Sequence, residues 1–158
     1  MKILVDINAV TKSDQLHPVD GLTAAGQPNE RQFELLAEAG YQAVIDLRGA
    51  DENRGLDEAA VLQKLGLDYI ELPVSTPDAI NMENAARLDK ILSGYDGPVL
   101  LHCGSGNRVG ALLALRASMH GADNETALAY GRSAGLTGLE PVVRSRLDAE
   151  QGRAGSEP

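Results

Sequence analysis

The single cysteine of the chain, Cys103, and a nearby arginine, Arg108, enclose a short segment with the residue types of an anion-binding loop. Four small or polar residues lie between them: Gly104, Ser105, Gly106 and Asn107. Such residues let the backbone curl tightly, so that successive N–H groups point to a common centre and bind an oxyanion. The planar guanidinium of Arg108 can hold two oxygens of a tetrahedral anion. We therefore predict that residues 103–108, the anion loop, place a cysteine nucleophile against a bound oxyanion.

The flanking sequence predicts that this loop connects a strand to a helix. Residues 99–101 are an apolar run typical of a buried strand, and residues 109–119 are apolar with good helix formers. The start of the helix stabilises a nearby negative charge by about 0.3–2 kcal/mol, whereas an unperturbed cysteine is only about 3% thiolate at pH 7. Arg108 and the loop amides must therefore also stabilise the thiolate. The whole loop, and not Cys103 alone, is the predicted site.

The pair His102-Cys103, followed by a glycine-rich loop, an arginine and a helix, resembles the signature of the cysteine-dependent protein tyrosine and dual-specificity phosphatases. Those phosphatases have five residues between the cysteine and the arginine, and usually Ser or Thr after the arginine. This chain has four, and Val109 follows Arg108. The shorter spacing is similar to the loop of rhodanese-type sulfurtransferases. The loop alone therefore leaves phosphate transfer and sulfur transfer open.

Three upstream segments extend the resemblance, namely residues 26–28, 40–48 and 69–74. They are similar to a bacterial family of small phosphatase-like proteins that includes the phosphatase domain of beta-lactamase hydrolase-like proteins. The similarity covers roughly residues 20–135. It implies a phosphatase-like fold and, as the leading function, a cysteine-dependent phosphomonoesterase.

The resemblance implies a role for each residue of the site. Cys103 would attack phosphorus in line and form a phosphocysteine, while the arginine and the N–H groups of residues 104–107 hold the equatorial oxygens. These phosphatases protonate the leaving group with an upstream aspartate, and Asp78 lies in the corresponding stretch, two residues after Thr76, which direct alignment places there. Glu83 is a weaker substitute. Asp78 also fits a second interpretation, in which it only complements a helix dipole.

Further residues bear on the mechanism. Val109 lacks the hydroxyl that normally helps the thiolate leave during hydrolysis of the phosphocysteine, so we expect slow turnover unless the serine within the loop replaces it. His102 is expected to orient the loop through hydrogen bonds to the backbone and to tune the thiol, with direct proton transfer as the alternative role. Arg48, at the end of a predicted strand, either pairs with Asp46 or Asp51 or contacts the substrate.

Two other functions use the same residues. In a rhodanese-like sulfurtransferase, Cys103 would take the outer sulfur of thiosulfate or a related donor and carry it as a persulfide to a thiol or cyanide, with no need for Asp78. A binding module would hold a phosphorylated ligand without turning it over, as the short loop and Val109 would allow. The upstream resemblance, His102 and Asp78 favour the phosphatase.

The order of predicted elements indicates the fold class. After residue 20, helices and short apolar strands alternate up to the anion loop, and further helices follow it. This order predicts a single α/β domain with a central, mostly parallel sheet of about four or five strands and helices on both faces. One helix is expected to run from Pro77 to about Ser93, and the last to end near Ala149. The expected divisions are an N-terminal lead-in at residues 1–20, a phosphatase-like catalytic domain at residues 21–150 and a disordered tail at residues 151–158.

The composition bears on the partners. Lys and Arg number 14 against 23 Asp and Glu, so a formal charge of −9 would repel nucleic acids and anionic membranes. No apolar run approaches the roughly 20 residues of a membrane span. The expected partner is a phosphorylated small molecule or a phosphoprotein, and the oligomeric state stays open. With one Phe, four Tyr and no Trp, a broad or small-molecule phosphomonoesterase is favoured over a strict tyrosine phosphatase.

No cofactor is expected, and three scattered histidines predict no metal site. A lone cysteine cannot form an intrachain disulfide, which suits a reducing compartment. We therefore expect a cytoplasmic location, or a periplasmic one if a leader has been removed.

Overall fold

The computed structural model describes residues 3–11, 21–49, 52 and 56–156. In this part of the chain, five strands form one sheet in the order β1-β2-β5-β3-β4, and all neighbouring strands are parallel. The strands are β1 (Ile3–Asp6), β2 (Gly21–Ala25), β3 (Ala43–Asp46), β4 (Asp68–Glu71) and β5 (Val99–His102). This architecture confirms the predicted α/β fold with a parallel central sheet.

Helices connect the strands and continue after the last one. They are α1 (Ile7–Thr11), α2 (Glu30–Glu38), α3 (Glu58–Leu65), α4 (Met82–Leu92), α5 (Asn107–Met119), α6 (Asn124–Ser133) and α7 (Glu140–Ser156). A 3-10 turn, Pro77–Ala79, precedes α4. Within the described residues, no helix is both long and apolar enough to cross a bilayer.

Two apolar cores cover the two faces of the sheet. Leu88, Leu112, Leu128 and Val143 represent the larger one, which packs α4 to α7 against the sheet. The smaller core includes Phe33 of α2 and residues of α1 and α3. Helices therefore lie on both faces, as the sequence predicts, and the central strands β3 and β5 are buried along their whole length.

The register of the sheet determines which residues meet at its carboxyl edge. His102, the last residue of β5, is paired with Ala25 of β2 and with Asp46 of β3. Because parallel strands end at the same edge, the loops that follow these three strands come together there. The anion loop follows β5 and therefore lies near the middle of that edge.

Two helix boundaries differ from the sequence-based expectation. The chain makes a 3-10 turn after Thr76, and α4 begins only at Met82, because Asn81 caps it by accepting from the N–H of Asn84. The side chain of Asn81 also donates to the carbonyl of Asp78, which closes the turn. At the other end of the chain, α7 continues to Ser156, beyond the predicted end near residue 149.

The sequence also misses the first strand. Residues 3–6 belong to the predicted lead-in, yet they pair with β2 as an edge strand. A run of three apolar residues followed by an aspartate is too short to identify a strand by its pattern. The boundaries at residues 20 and 150 stay predictions.

Candidate active site

The anion loop joins the central strand β5 to the first turn of α5. Cys103 follows His102 directly and is fully buried. Gly106 precedes the helix with a φ of 94°, a left-handed conformation that glycine adopts without strain. In this conformation its N–H donates to the Cys103 sulfur over 3.1 Å. The loop therefore directs an amide N–H group at the sulfur and holds it against the start of α5.

The segment after β2 holds the loop from one side. The carbonyl of Ala25 accepts from the N–H of Cys103 at 3.4 Å, and the N–H of Gln27 donates to the carbonyl of Gly104 at 3.2 Å. A Cβ atom on Gly26 would lie only 3.0 Å from that same Gly104 oxygen. The Gly-Gln-Pro segment that carries part of the sequence resemblance thus packs directly on the anion loop, and Gly26 permits the close approach.

Arg108 makes a bidentate ion pair with Glu52. Its two terminal nitrogens each lie 2.7 Å from one carboxylate oxygen of Glu52, and Nη1 also donates to the carbonyl of Val74 at 2.9 Å. The backbone N–H of Gly49 donates to the same carboxylate. Hydrogen bonds from Arg108 lower the pKa of Glu52 to about 2, so the carboxylate is ionised at neutral pH. Glu52 and the nearby Cys103 in turn raise the pKa of Arg108.

A second cluster of charged groups lies buried behind the loop. Nε2 of His102 contacts Oε2 of Glu58 at 2.5 Å, and Oε1 of Glu58 accepts from Arg48 at 3.1 Å. Arg48 donates to both oxygens of Asp46 at 3.0 Å, and the hydroxyl of Tyr69 donates to Asp46 at 2.7 Å. Burial opposes ionisation of Asp46, but the hydrogen bonds from Arg48 outweigh it and hold the Asp46 pKa well below its usual range. We call these five residues the buried network.

Arg48 lies within the buried network. Arg48 pairs with Asp46, one of its two expected partners, and the other, Asp51, lies outside the described residues. With only 2% of its surface exposed, Arg48 lies beneath the loop and not at its surface.

Asp46, Glu58 and His102 offer three donor atoms within 4.8 Å of one another, as a metal site would. The guanidinium of Arg48 already bonds both carboxylates, so a cation of the protein itself occupies this position.

His102 is fixed on both sides of its ring. Nε2 faces Glu58, and Nδ1 lies 3.4 Å from the carbonyl oxygen of Cys103, the backbone contact expected for this residue. The ring edge also packs against Phe33, with 6.2 Å between centroids. Both ring nitrogens face oxygen atoms, and these two contacts fix the orientation of the ring.

The remaining predicted residues lie around the loop with different partners. Asn107 accepts from the N–H groups of Thr137 and Leu139, so it ties the loop to the segment before α7. Ser105 is exposed, whereas Val109 is fully buried in the larger core. The replacement of the hydroxyl that Val109 lacks by that of Ser105 stays a prediction.

The two candidate acids differ in their surroundings. Asp78 is exposed in the 3-10 turn, a few residues after Val74, whose carbonyl contacts Arg108. Glu83, on the first turn of α4, pairs with Arg87 at 2.9 Å. Asp78 is thus the candidate whose carboxylate has no ion pair among the described residues.

The sequence does not point to Glu52 or Glu58. Glu52 lies in a charged turn beside an equally eligible aspartate, and Glu58 follows the N-cap Asp57 of α3, where acidic residues are common. Only the tertiary fold shows which of these carboxylates reaches the loop.

The chain resembles curated proteins over part of their length. It is 36% identical over 98 residues to a "Beta-lactamase hydrolase-like protein" of Xylella fastidiosa, an alignment that covers 60% of this chain and 22% of the relative. With a protein of the same description from Agrobacterium fabrum it shares 32% identity over 104 residues, which covers 63% of this chain and 24% of the relative. The chain therefore spans about a quarter of the length of these relatives.

The fold also matches solved phosphatase structures. TpbA of Pseudomonas aeruginosa, solved in complex with pTyr, superposes with a TM-score of 0.64 at 19% identity, covering 90% of this chain and 92% of that one. At this identity the likeness shows the fold. The sequence model of the family described as "DSP-PTPase phosphatase fused to NAD+ Kinase" matches residues 4–139. The chain therefore belongs to this family of cysteine-dependent, protein tyrosine phosphatase-like proteins.

Proposed function

We propose that this chain is a cysteine-dependent phosphomonoesterase that acts through a phosphocysteine, without a metal ion or cofactor. The observation that carries the proposal is the pairing of Cys103 with Arg108 in one loop at the carboxyl end of the central strand. There the sulfur already accepts a hydrogen bond from the N–H of Gly106. Family membership supports phosphate as the oxyanion.

The reaction follows from the positions of these groups. The Cys103 thiolate attacks phosphorus in line, so that a P–S bond forms while the ester P–O bond breaks. Arg108 and the N–H groups of residues 104–107 hold the equatorial oxygens and stabilise their charge. Water then attacks the phosphocysteine, which releases inorganic phosphate and restores the thiolate.

Asp78 is our proposed general acid. The leaving alkoxide or phenoxide needs a proton as the P–O bond breaks. Asp78 is exposed in the turn that follows Val74, and the Val74 carbonyl contacts the Arg108 side chain. Asp78 lies four residues after Val74, so the turn that carries this carboxyl group follows directly on the segment that contacts Arg108.

Glu52 must yield part of its contact with Arg108 when phosphate binds. Both terminal nitrogens of the guanidinium are engaged by the Glu52 carboxylate. A phosphate dianion would compete for the same donors and would be repelled by the nearby negative charge. We therefore expect weak binding of inorganic phosphate.

The substrates are proposed to be broad and mainly small. TpbA was solved with phosphotyrosine, which supports phosphate esters as ligands of this fold. This chain has no Trp and only five Phe and Tyr residues in total, and Phe33, Tyr41 and Tyr69 all belong to the buried or half-buried interior. A deep aromatic slot for phosphotyrosine is not expected.

Sulfur transfer is the second candidate, because the loop has the shorter spacing and Val109 supplies no hydroxyl. In that reaction the Cys103 thiolate takes the outer sulfur of thiosulfate and releases sulfite. The resulting persulfide then passes its sulfur to cyanide or a thiol. Neither step requires Asp78.

The first experiment measures p-nitrophenyl phosphate hydrolysis by the wild type and by Cys103→Ser, under reducing conditions with EDTA. We expect turnover by the wild type that is lost in the variant. Formation of thiocyanate from thiosulfate and cyanide is measured on the same samples. Sulfur transfer without phosphate release would contradict the phosphatase and support the second candidate.

A further inference from the structure

A cavity of about 330 Å³ adjoins the anion loop at the carboxyl ends of β1 and β2. Its volume lies at the lower end of the roughly 300–1,000 Å³ that small-molecule sites occupy. Three segments form its walls together with Ser105 and Gly106 of the loop: residues 4–8, residues 24–26 and residues 133–135. The cavity therefore lies directly beside the proposed phosphate site.

A smaller cavity of about 150 Å³ continues the first one. The two share Ile7, Asn8, Ala25 and Gly26, and the second extends as far as Gln32. We call the combined space the β1–β2 groove. The chain at Ala25 and Gly26 lines the groove and at the same time packs against the loop, so a ligand in the loop and a group in the groove would be neighbours.

The groove lies at a different part of the loop from the residues that engage Arg108. Glu52 and Val74 contact the guanidinium, whereas Ser105 and Gly106 border the groove. The ionised carboxylate of Glu52 makes its side of the loop unfavourable for further anionic groups. The groove offers space for the organic part of a phosphate ester away from that carboxylate.

The side chains of the groove favour hydroxyl groups. Asp6 is exposed, and its Oδ1 accepts from the N–H of Asn8 at 2.8 Å, which leaves Oδ2 without a partner among the described residues. A carboxylate oxygen accepts strongly from a hydroxyl donor. The side chains of Asn8 and Ser133 are also exposed. The Ser133 hydroxyl donates to the carbonyl of Tyr130 at 2.7 Å, so it offers its oxygen as an acceptor for a ligand hydroxyl.

The same residues disfavour other ligand classes. A second phosphate in the groove would meet the Asp6 carboxylate on a chain of net charge −9. Among the described residues that line the two cavities, none is aromatic and none is Lys, Arg or His. The described lining residues therefore offer no basic side chain to an anionic group and no aromatic side chain to a stacked ring.

We propose that the β1–β2 groove is a substrate subsite that binds the uncharged, polyhydroxylated part of a small phosphate monoester, such as the sugar of a sugar monophosphate. Asp6 accepts hydrogen bonds from the sugar hydroxyls, and Ser133 lines the same cavity. This inference rests on the proposed phosphatase activity and names its substrate class.

The test compares ribose 5-phosphate with p-nitrophenyl phosphate. The value of kcat/KM for each is measured in the wild type, Asp6→Asn, Ser133→Leu and a control, Glu38→Gln, which removes an exposed carboxylate from α2. We expect Asp6→Asn and Ser133→Leu to lower kcat/KM for the sugar phosphate about tenfold more than for the aryl phosphate. The control is expected to change neither value.

A second readout does not depend on turnover. Both ribose 5-phosphate and inorganic phosphate should slow alkylation of Cys103 by iodoacetate, and the sugar phosphate should protect at a lower concentration. In Asp6→Asn and Ser133→Leu, this advantage of the sugar phosphate should disappear. Equal protection by the two ligands in the wild type, or equal losses for both esters in the variants, would overturn the subsite. Absence of any phosphate ester turnover together with retained preferential protection would refute the proposed reaction while leaving the subsite standing.

Discussion

The carboxylate of Glu52 lies against the guanidinium of Arg108 with two contacts of 2.7 Å, so the arginine proposed to bind phosphate already holds an anion of the protein itself. The two residues are far apart in the sequence, and both are partly exposed. The contact orients the guanidinium beside Cys103, and in the proposed phosphatase it would also compete with an incoming phosphate. Under that proposal, Glu52 sets a balance between the orientation of Arg108 and its affinity for phosphate.

Replacing Glu52 by Gln should tighten binding of inorganic phosphate. The amide keeps the size of the side chain but removes the competing charge, and we expect the competitive Ki for phosphate to fall roughly tenfold, the equivalent of about 1.4 kcal/mol. Phosphate inhibition of p-nitrophenyl phosphate hydrolysis measures this change, with Glu38→Gln as a charge-matched control. A higher Ki in Glu52→Gln would instead mean that orientation of Arg108 outweighs competition.

The buried network predicts a stability cost for Arg48→Met. Without the guanidinium, the carboxylates of Asp46 and Glu58 stay buried without their cation, which typically costs about 3–5 kcal/mol. Urea unfolding measures the loss. Arg31→Met is the matched control, since Arg31 makes only exposed ion pairs on α2 and should cost less than about 1 kcal/mol. Lost activity at unchanged stability would support the alternative role of Arg48 as a substrate contact.

The lowered carboxylate pKa values predict how stability depends on pH. The pKa of Glu52 falls from 4.5 to about 2 through Arg108, and that of Asp46 is also lowered despite its burial. Carboxylates with lowered pKa values contribute stability that is complete above their unfolded pKa and is lost as pH falls through the folded value. We expect Tm to fall as pH decreases from about 4.5 to 2, and to fall less in Glu52→Gln. An identical decrease in both proteins would contradict this assignment.

Local patterns in the sequence were sufficient to predict the strand-to-helix loop and the fold class. Strand β5, the loop and α5 are contiguous, so their apolar runs and glycines predict both the site and its connection. The partners of the site come from other parts of the chain. Glu52 and Glu58 are two of 23 acidic residues, and a local pattern cannot show which of them a distant arginine or histidine will meet.

The same reasoning explains the errors at the edges of the fold. An edge strand such as β1 needs only one sheet partner, and its four residues carry too little periodicity to distinguish a strand from a loop. The helix predicted to begin at Pro77 depends on a proline that is equally suited to a 3-10 turn. The cap at Asn81 decides the start of α4.

Glu58 should influence the reactivity of Cys103 through His102. In Glu58→Gln the amide can still contact Nε2, but it loses the charged contacts of the carboxylate to His102 and Arg48. We expect the rate at which iodoacetamide alkylates Cys103 at pH 7 to change, because the His102 ring that precedes the loop is held less firmly. An unchanged alkylation rate with lower stability would show that Glu58 serves the fold alone.

Asp78→Asn tests the proposed general acid through the leaving group. A p-nitrophenolate leaves readily without a proton, whereas an alkoxide does not, so loss of the acid should depend on the ester. We expect kcat to fall by about 10² to 10⁴ for an alkyl phosphate and much less for p-nitrophenyl phosphate. Glu83→Gln is the control, because Glu83 is held by Arg87 and should change neither rate. Equal effects on both esters would remove Asp78 from the chemistry and leave it as a residue of the turn before α4.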